Sequence, residues 1–263
     1  MLQDRLDHIS SKGFLPESRF GQNFLSDEVM IGNIIDLCEI KPEDHVLEIG
    51  PGLGSLSVPL SELTSGLTVV EIDKRLASYI KDDLKLNAHI ITSDYLKLKD
   101  YGAEDIDVVV SNLPYYVMTD IMKKLFAECV NARKMVFMVE EDALQRIYAK
   151  EGTKQYGPLS VLVSLYGPSR KEFTVPRECF VPAPNTTSCV ISLTRGDIKL
   201  SSGFVGFLNK AFAMRRKKLV NNVKETAEYL PELGLPTDVR AEQLSPETLY
   251  KLYNAIISNT DKV

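Results

Sequence analysis

The stretch of sequence that decides the fold is HVLEIGPGLG at residues 45–54. Its apolar first half predicts a buried strand, and glycines follow at positions 50, 52 and 54. Glycine accepts unusual backbone angles and lets the main chain approach a ligand, so Gly50 and Gly52 are predicted to contact a cofactor. The spacing is not the dinucleotide fingerprint Gly-x-Gly-x-x-Gly, and Glu48 beside the turn would oppose a pyrophosphate. An acid there suits a ligand with ammonium and sulfonium groups, such as S-adenosylmethionine.

Two further apolar runs end in carboxylates. The run at 67–72 carries Glu71 and Ile72, and the run at 88–93 leads into Asp94. A carboxylate at the first position can accept hydrogen bonds from both ribose hydroxyls of a nucleoside, and Ile72 can lie against its adenine ring. Asp94 can accept from the adenine amino group. Because parallel strands end at the same edge of an open α/β sheet, these side chains are predicted to form one cofactor site.

A fourth apolar run, 106–110, leads into SNLPY at residues 111–115. The side-chain oxygen of Asn112 and the carbonyl of Leu113 can both accept hydrogen bonds, and Pro114 stiffens the turn. Tyr115 offers a ring for stacking. An isolated Asn-x-Pro-aromatic sequence is more often an ordinary turn, so the neighbouring strand ends decide the interpretation. Together they predict a site that holds the exocyclic amino group of a flat base.

The spacing of apolar runs predicts a Rossmann-like α/β fold with a parallel sheet. Two later runs, near 169–173 and 188–194, have no clear crossover helix between them and predict an antiparallel hairpin on the sheet edge. Ser26 is the predicted cap of a helix that follows it. The predicted parallel strands lie near residues 45–49, 67–72, 88–93, 106–111 and 134–139.

The charge of the chain is unevenly distributed. The net charge is −5, but the segment from Gly203 to Lys224 has six basic residues and no acid, which leaves −11 for the remainder. Its apolar residues recur at helical spacing, so the basic residues are predicted to lie on a helix. Such a run is often only a solvated helix face; the alternative is a nucleic-acid contact. The chain is therefore divided into a catalytic domain, 1–198, and a helical RNA-binding domain, 199–263. The predicted RNA contacts are Lys210, Arg215, Arg216, Lys217 and Lys218.

The amino-acid composition argues against a membrane, secreted or metal-binding protein. The chain of 263 residues is 44% hydrophobic, which suffices for a large core, yet no apolar run is long enough to span a membrane. No signal segment is recognised, so the cytoplasm is expected. The four cysteines and three histidines are scattered, so no metal site is expected.

Seven motifs give the chain a resemblance over nearly its whole length to the ribosomal RNA adenine dimethyltransferases. The resemblance is strongest to the bacterial small-subunit branch of that family. The motifs are FGQNFL at 20–25, the turn at 48–54, EID at 71–73, NLPY at 112–115, YGPLS at 156–160, FVPAP at 180–184 and FAMRRKKL at 212–219.

The resemblance implies residue roles. Asn112, Leu113 and Tyr115 are expected to hold the target adenine, and Phe180 to close on its other face. The residues expected to contact S-adenosylmethionine are Asn23, Leu25, Gly50, Glu71, Asp94 and Asn112.

The resemblance also implies a reaction. Methyl groups would pass from S-adenosylmethionine to N6 of two adjacent adenines in a 3′-terminal hairpin loop of small-subunit (16S) rRNA, giving N6,N6-dimethyladenosines during ribosome biogenesis. The expected partner is the immature small subunit, and the expected state is a monomer. Two alternatives stay open: a large-subunit (23S) adenine methyltransferase that confers macrolide resistance, and an assembly factor that acts mainly by binding. The tail at 215–222 favours the small-subunit branch over the first.

Overall fold

Strands and helices alternate through most of the chain. The computed structural model describes residues 2–11, 13–14, 22–114 and 116–260. The strands are β1 Phe24–Leu25, β2 His45–Ile49, β3 Gly66–Glu71, β4 His89–Thr92, β5 Val108–Asn112, β6 Lys134–Glu140, β7 Ser169–Val175, β8 Phe180–Val181 and β9 Ser188–Thr194. The α-helices are α1 Leu2–Ser11, α2 Glu28–Cys38, α3 Ser57–Leu63, α4 Lys74–Ser78, α5 Met118–Glu128, α6 Leu144–Ile147, α7 Pro158–Tyr166, α8 Ser202–Ala211, α9 Leu219–Asn222, α10 Thr226–Glu232 and α11 Pro246–Thr260.

A seven-stranded sheet has the order β4-β3-β2-β5-β6-β9-β7. The first five of these strands run parallel, which confirms the predicted α/β sheet. The chain reverses its direction of travel across the sheet between β2 and β5, which are neighbours in space. In open α/β sheets the crevice at such a reversal, outside the carboxyl ends of the strands, is where ligands bind. The glycine turn follows β2 and Asn112 ends β5, so both predicted motifs fall at this point.

The antiparallel end of the sheet contains both predicted later strands. β7 and β9 pair antiparallel, and β7 forms the sheet edge. β9, however, lies between β6 and β7 and pairs with both. The pair thus lies outside β6 at the sheet edge, which confirms the predicted antiparallel edge strands, and β9 is the one next to β6. Between the two strands the chain makes β8, which pairs with β1 through Leu25 and Phe180.

Helix α2 shows how one apolar helix face makes part of the core. Ile34, Ile35 and Cys38 are buried and belong to one cluster with Val46 of β2 and Val108 of β5. Complete burial of an aliphatic side chain of this size contributes about 1.5–3 kcal/mol to folding. This packing fixes the strands from which the glycine turn and the Asn112 turn emerge.

The predicted cap of α2 is wrong by one residue. Asp27, not Ser26, is the cap, and its carboxylate accepts a hydrogen bond from the Met30 amide at 2.9 Å. The Ser26 hydroxyl instead donates to the Cys179 carbonyl at 2.9 Å. Both residue types are good caps, and the carboxylate also interacts favourably with the helix dipole.

The chain divides into two compact units. The first consists of Met1–Ile121, Asn131–Glu141 and Ser169–Arg195, and contains the whole sheet. The second consists of Met122–Val130, Asp142–Pro168 and Gly196–Val263. Within it, α7 packs against α8 and α11. The second unit thus holds the predicted C-terminal segment together with helices from before residue 198. The division into a catalytic 1–198 and an RNA-binding 199–263 stays a prediction.

The basic segment is not one helix, contrary to the sequence-based prediction. Helix α8 ends at Ala211, and residues 212–217 form turns before α9. The amide of Asn222 donates to the carbonyls of Ala211 at 2.8 Å and Met214 at 3.2 Å. The first of these bonds gives a partner to the carbonyl of the last residue of α8, and the second adds to the Lys217 amide that also donates to the Met214 carbonyl.

Candidate functional site

A cavity of about 220 Å³ in the first unit lies at the carboxyl ends of β2, β3 and β5. It brings together all eight residues predicted to bind the cofactor. These are Asn23, Leu25, Gly50, Gly52, Glu71, Ile72, Asp94 and Asn112. Pro114 lines the same cavity. The strand ends therefore converge as the sequence predicted, while the binding roles of the eight residues stay predictions.

The glycine turn has the backbone conformation that its sequence predicted. Gly50 and Gly52 have φ angles of +69° and +57°, which residues with a Cβ rarely adopt. A Cβ added to Gly52 would lie 2.9 Å from the ring of Phe24. The turn therefore requires glycine at position 52 for both its conformation and its close packing, and it brings main-chain atoms to the cavity.

Glu71 is held rigidly at the end of β3. Its two carboxylate oxygens accept hydrogen bonds from the backbone amides of Gly52 at 3.2 Å and Asp73 at 2.8 Å. The residue is 4% exposed. Burial raises the pKa of Glu71 to about 7, and the two amide bonds oppose that rise. Each oxygen retains further capacity to accept a hydrogen bond, so ribose hydroxyls suit this position.

Glu48 is a second buried carboxyl group in the cavity wall. One of its oxygens accepts a hydrogen bond from the Ser57 hydroxyl at 2.5 Å. Burial, with a smaller contribution from the charge of Glu71, raises the pKa of Glu48 to about 8, and the Ser57 hydrogen bond opposes that rise. This pKa favours the protonated form of Glu48 at neutral pH. The sequence located this acid correctly but did not reveal that burial keeps it neutral.

The protonation of Glu48 predicts how stability depends on pH. Between pH 4.5 and about 8 the folded protein holds a proton that the unfolded chain has lost, so the free energy of unfolding falls as pH rises. Glu48→Gln removes this contribution. We expect the difference in unfolding free energy between wild type and this variant to change by about 1.4 kcal/mol per pH unit. Denaturant titrations from about pH 5 to about pH 7.5 measure it. If unfolding free energy depended on pH in the same way for wild type and Glu48→Gln, the raised pKa of Glu48 would be contradicted. Glu62→Gln, at an exposed position, is the control.

Asp94 follows β4 at the rim of the cavity. Its carboxylate accepts from the Leu96 amide at 3.0 Å and pairs with Lys97 at 3.5 Å. The side chain is 30% exposed, so it keeps open acceptor positions facing solvent and the cavity. Among the described residues that line the cavity, three are acidic and none is basic. This balance suits a ligand with positive charge.

The turn after β5 presents Asn112 to the cavity. Its side-chain amide donates to the Asn23 carbonyl at 3.4 Å, an orientation that leaves the side-chain oxygen as the acceptor. The Leu113 amide donates to the Met138 carbonyl at 3.1 Å, and the Leu113 side chain is buried in the core. Leu113 does not line the cavity, so any role there belongs to its main-chain carbonyl. Tyr115, with Phe20 and Gly21 of the first motif, lies outside the described residues.

Phe180 is not at the cavity surface. It is 3% exposed, pairs with Leu25 across β1 and β8, and belongs to the core cluster of α2. Stacking on a target base requires this ring to leave the core. The structure therefore does not bring Phe180 together with Asn112, and its closing role stays a prediction.

Tyr116 is a cavity residue to which the sequence interpretation gave no role. It is 62% exposed, and Ile72 and Leu96 stand on the same rim, 45% and 36% exposed. Burial raises the pKa of the Tyr116 phenol, with smaller contributions from the charges of Asp94 and Glu71. The sequence did contain a signal for this residue, because Tyr116 directly follows the NLPY motif at 112–115. An aromatic residue just beyond a turn at a strand end can line the same cavity as the turn.

The predicted RNA contacts lie in the second unit and are not equivalent. Lys210, Arg216, Lys217 and Lys218 are exposed. Arg215 is half-buried and bonds within its own unit, where it pairs with Glu242 at 2.9 Å. Among the described residues no cluster of histidine, cysteine or acid is suited to hold a metal ion. No helix in the described part of the chain is long and apolar enough to cross a membrane.

The fold and the cavity define a Rossmann-like methyltransferase that uses S-adenosylmethionine. The glycine turn leaves room for the ligand, and the buried acids without basic neighbours fit its positive charge. The model of the ribosomal RNA adenine dimethylase family matches residues 13–258, and the chain belongs to that family.

Relatives support this assignment. The ribosomal RNA small subunit methyltransferase A of Malacoplasma penetrans is 36% identical, and the alignment covers 92% of this chain and 89% of that protein. The protein of the same name from Bacillus cytotoxicus is 36% identical, with coverage of 97% and 96%.

Solved structures show the same fold. A dimethyladenosine transferase from Plasmodium falciparum has a TM-score of 0.69 at 23% identity, covering 89% of this chain and 98% of that one. The 23S rRNA methyltransferase ErmE has a TM-score of 0.60 at 20% identity, covering 89% and 100%.

Proposed function

We propose that this enzyme dimethylates N6 of two adjacent adenines in the 3′-terminal hairpin loop of small-subunit (16S) rRNA. The observation that carries the proposal is the position of Asn112, which lines the same cavity as three acids and the glycine turn and whose side-chain nitrogen donates to the Asn23 carbonyl. We propose further that the enzyme acts as a cytoplasmic monomer on the immature small subunit.

The acidic cavity is proposed to hold the cofactor. The Gly50–Gly52 backbone and Glu48 would lie against its amino-acid part, Glu71 would bind the ribose, and Asp94 would bind the adenine. When bound, S-adenosylmethionine supplies an activated methyl group. Entry of a positively charged ligand favours the ionised forms of Glu48 and Glu71, whose pKa values are raised in its absence.

Asn112 and the Leu113 carbonyl are proposed to activate the target amino group. The adenine N6 lone pair is delocalised into the ring, which makes it a poor nucleophile. Acceptors on its N–H bonds, two in the first transfer and one in the second, would favour the pyramidal, positively charged nitrogen that develops as the nitrogen–carbon bond forms. The carbon–sulfur bond of the cofactor would break at the same time, and S-adenosylhomocysteine would be the leaving group. Asn112 is neutral and is not a strong base, so the proton that N6 loses after transfer passes to solvent. Holding the base with its N6 in line with the methyl group would supply the rest of the rate acceleration.

The target base must leave its stack or already lie in a loop to reach the cavity. Tyr115 is proposed to stack on one face, with Phe180 closing on the other after it moves from its buried position. The exposed ring of Tyr116 offers a further apolar wall at the rim.

Two alternatives compete with this proposal. A large-subunit methyltransferase shares the fold, as the ErmE likeness illustrates, but the small-subunit relatives are 36% identical over nearly the whole chain, whereas ErmE is 20% identical. An assembly factor would act by binding alone, and the assembled Asn112 turn favours catalysis. The two activities can coexist in one protein.

Counting methyl groups tests the reaction. Unmethylated small subunits are incubated with enzyme and labelled cofactor. The mass of the rRNA fragment that contains the target adenines is then measured by mass spectrometry. Two dimethylated adenines on each RNA are expected. A product that stops at one methyl group per adenine would contradict dimethylation.

A further inference from the structure

A loop of the second unit, residues 148–156, is tied to the turn that contains the predicted RNA contacts. The tie is Arg215. Its Nη1 donates to the Lys154 carbonyl at 2.5 Å, and its Nη2 donates to the Thr153 carbonyl at 3.2 Å. Its Nε and Nη2 also donate to one oxygen of Glu242, at 3.1 Å and 2.9 Å. A guanidinium has five N–H donors, and these bonds use four of them.

Other contacts hold the same loop in place. The Gly152 amide donates to the Glu242 carbonyl at 2.8 Å. The buried Tyr156 hydroxyl donates to the Leu244 carbonyl at 2.8 Å, and the Tyr156 ring meets the Phe212 ring edge-on at 5.8 Å. The two hydrogen bonds hold the loop against residues 242–244, and the ring contact with Phe212 joins it, together with Arg215, to the turn at 212–218.

This arrangement brings two groups of cations to one place. The loop contributes the exposed side chains of Lys150 and Lys154, and the turn contributes Arg216, Lys217 and Lys218. The acids near the loop are Glu242, which is paired with Arg215 and Arg240, the exposed Glu151, and Glu247, whose charge also acts on Tyr156. The five cations outnumber these three acids. We call these five cations the tied basic surface.

We propose that Lys150 and Lys154 contact rRNA phosphates as part of the tied basic surface, and that Arg215 is a positioning residue rather than a phosphate contact. The inference rests on the proposed rRNA substrate and refines the basic segment that the sequence singled out. Phosphate contacts come mainly from exposed lysine and arginine, and each releases counterions from the RNA. Arg215 has already used four of its five N–H donors within the protein, and its proposed function is to keep the lysine loop beside the turn.

The dependence of binding on salt tests the lysines. Affinity for unmethylated small subunits is measured over a range of salt for wild type and for the double variant Lys150→Ala, Lys154→Ala. Loss of two phosphate contacts should make the negative slope of log affinity against log salt shallower by about 1.4–1.8. The control Lys81→Ala, Lys99→Ala removes the same charge from exposed lysines of the first unit and should leave the slope nearly unchanged. An unchanged slope in the first double variant would overturn the proposal.

Arg215→Lys tests the positioning role. Lysine keeps the positive charge but cannot make the same hydrogen bonds to Thr153, Lys154 and Glu242 at once. We expect this variant to make the negative slope shallower, by no more than the two alanines do because other contacts also hold the loop. Combined with the two alanines, it should cause no further change in the slope. A wild-type slope in Arg215→Lys, or an additive loss, would show instead that Arg215 contacts phosphate. Thermal unfolding verifies that the variants fold. Failure of the wild type to methylate small subunits would reject the proposed function itself, whereas normal methylation with an unchanged slope would reject only this inference.

Discussion

Asn112→Ala is expected to lower the rate of methyl transfer by a factor of about 10²–10³ at saturating cofactor and RNA. The variant loses the side-chain oxygen that accepts from the target amino group, and loss of one preorganised transition-state hydrogen bond typically costs this much. The change affects an end of β5 rather than the core, so the fold is expected to persist. Single-turnover transfer to unmethylated small subunits measures the rate.

Two measurements make the Asn112 prediction specific. Asn33→Ala changes the same residue type on the exposed face of α2 and should leave the rate unchanged. Binding of S-adenosylhomocysteine by calorimetry separates a lost cofactor contact from a lost catalytic one. If Asn112→Ala transferred methyl groups at the wild-type rate once saturated, its proposed role in catalysis would be wrong.

Glu71→Ala is expected to weaken cofactor binding by at least about 100-fold. Hydrogen bonds to a charged acceptor contribute about 1.5–3 kcal/mol each, and this carboxylate is proposed to accept two from the ribose. The variant also leaves the Gly52 and Asp73 amides without their acceptor. Methyl transfer should become undetectable while affinity for small subunits is retained, as calorimetry and filter binding would show.

Glu71→Gln distinguishes these effects from loss of structure. It keeps the shape of the side chain and one acceptor oxygen, so it should fold more stably than Glu71→Ala and bind cofactor with intermediate affinity. Glu62→Ala, on an exposed position of α3, is the matched control. Normal cofactor affinity in Glu71→Ala would contradict the proposed site. If that variant still restored subunit maturation in cells, binding rather than catalysis would be the dominant role.

The sequence predicted the sheet and the cavity well because both depend on local signals. Apolar runs that end in glycine, acid or Asn-x-Pro identify strands whose carboxyl ends must meet at one edge. The insertion of β9 between β6 and β7 had no such signal, because pairing order depends on contacts between distant segments. The α2 cap was ambiguous for a different reason, since Ser26 and Asp27 are adjacent and both are good caps.

Features of the functional residues that the sequence did not reveal have the same physical origin. A run of basic residues with apolar spacing predicted one helix, but Asn222 bonds to the Ala211 carbonyl where α8 ends. Arg215 looked equivalent to its neighbours, and only its bonds to residues about sixty positions earlier distinguish it. The burial of Phe180 and the neutral state of Glu48 likewise depend on packing from other segments, which a motif does not record.

The most direct test of the central claim is transfer of labelled methyl groups to purified unmethylated small and large ribosomal subunits, with the modified bases mapped by primer-extension arrest. The proposed function predicts label on two adjacent adenines of small-subunit RNA and none on large-subunit RNA. Label on large-subunit RNA alone would assign the enzyme to the resistance branch. Tight binding to small subunits without any transfer would contradict catalysis and favour an assembly factor.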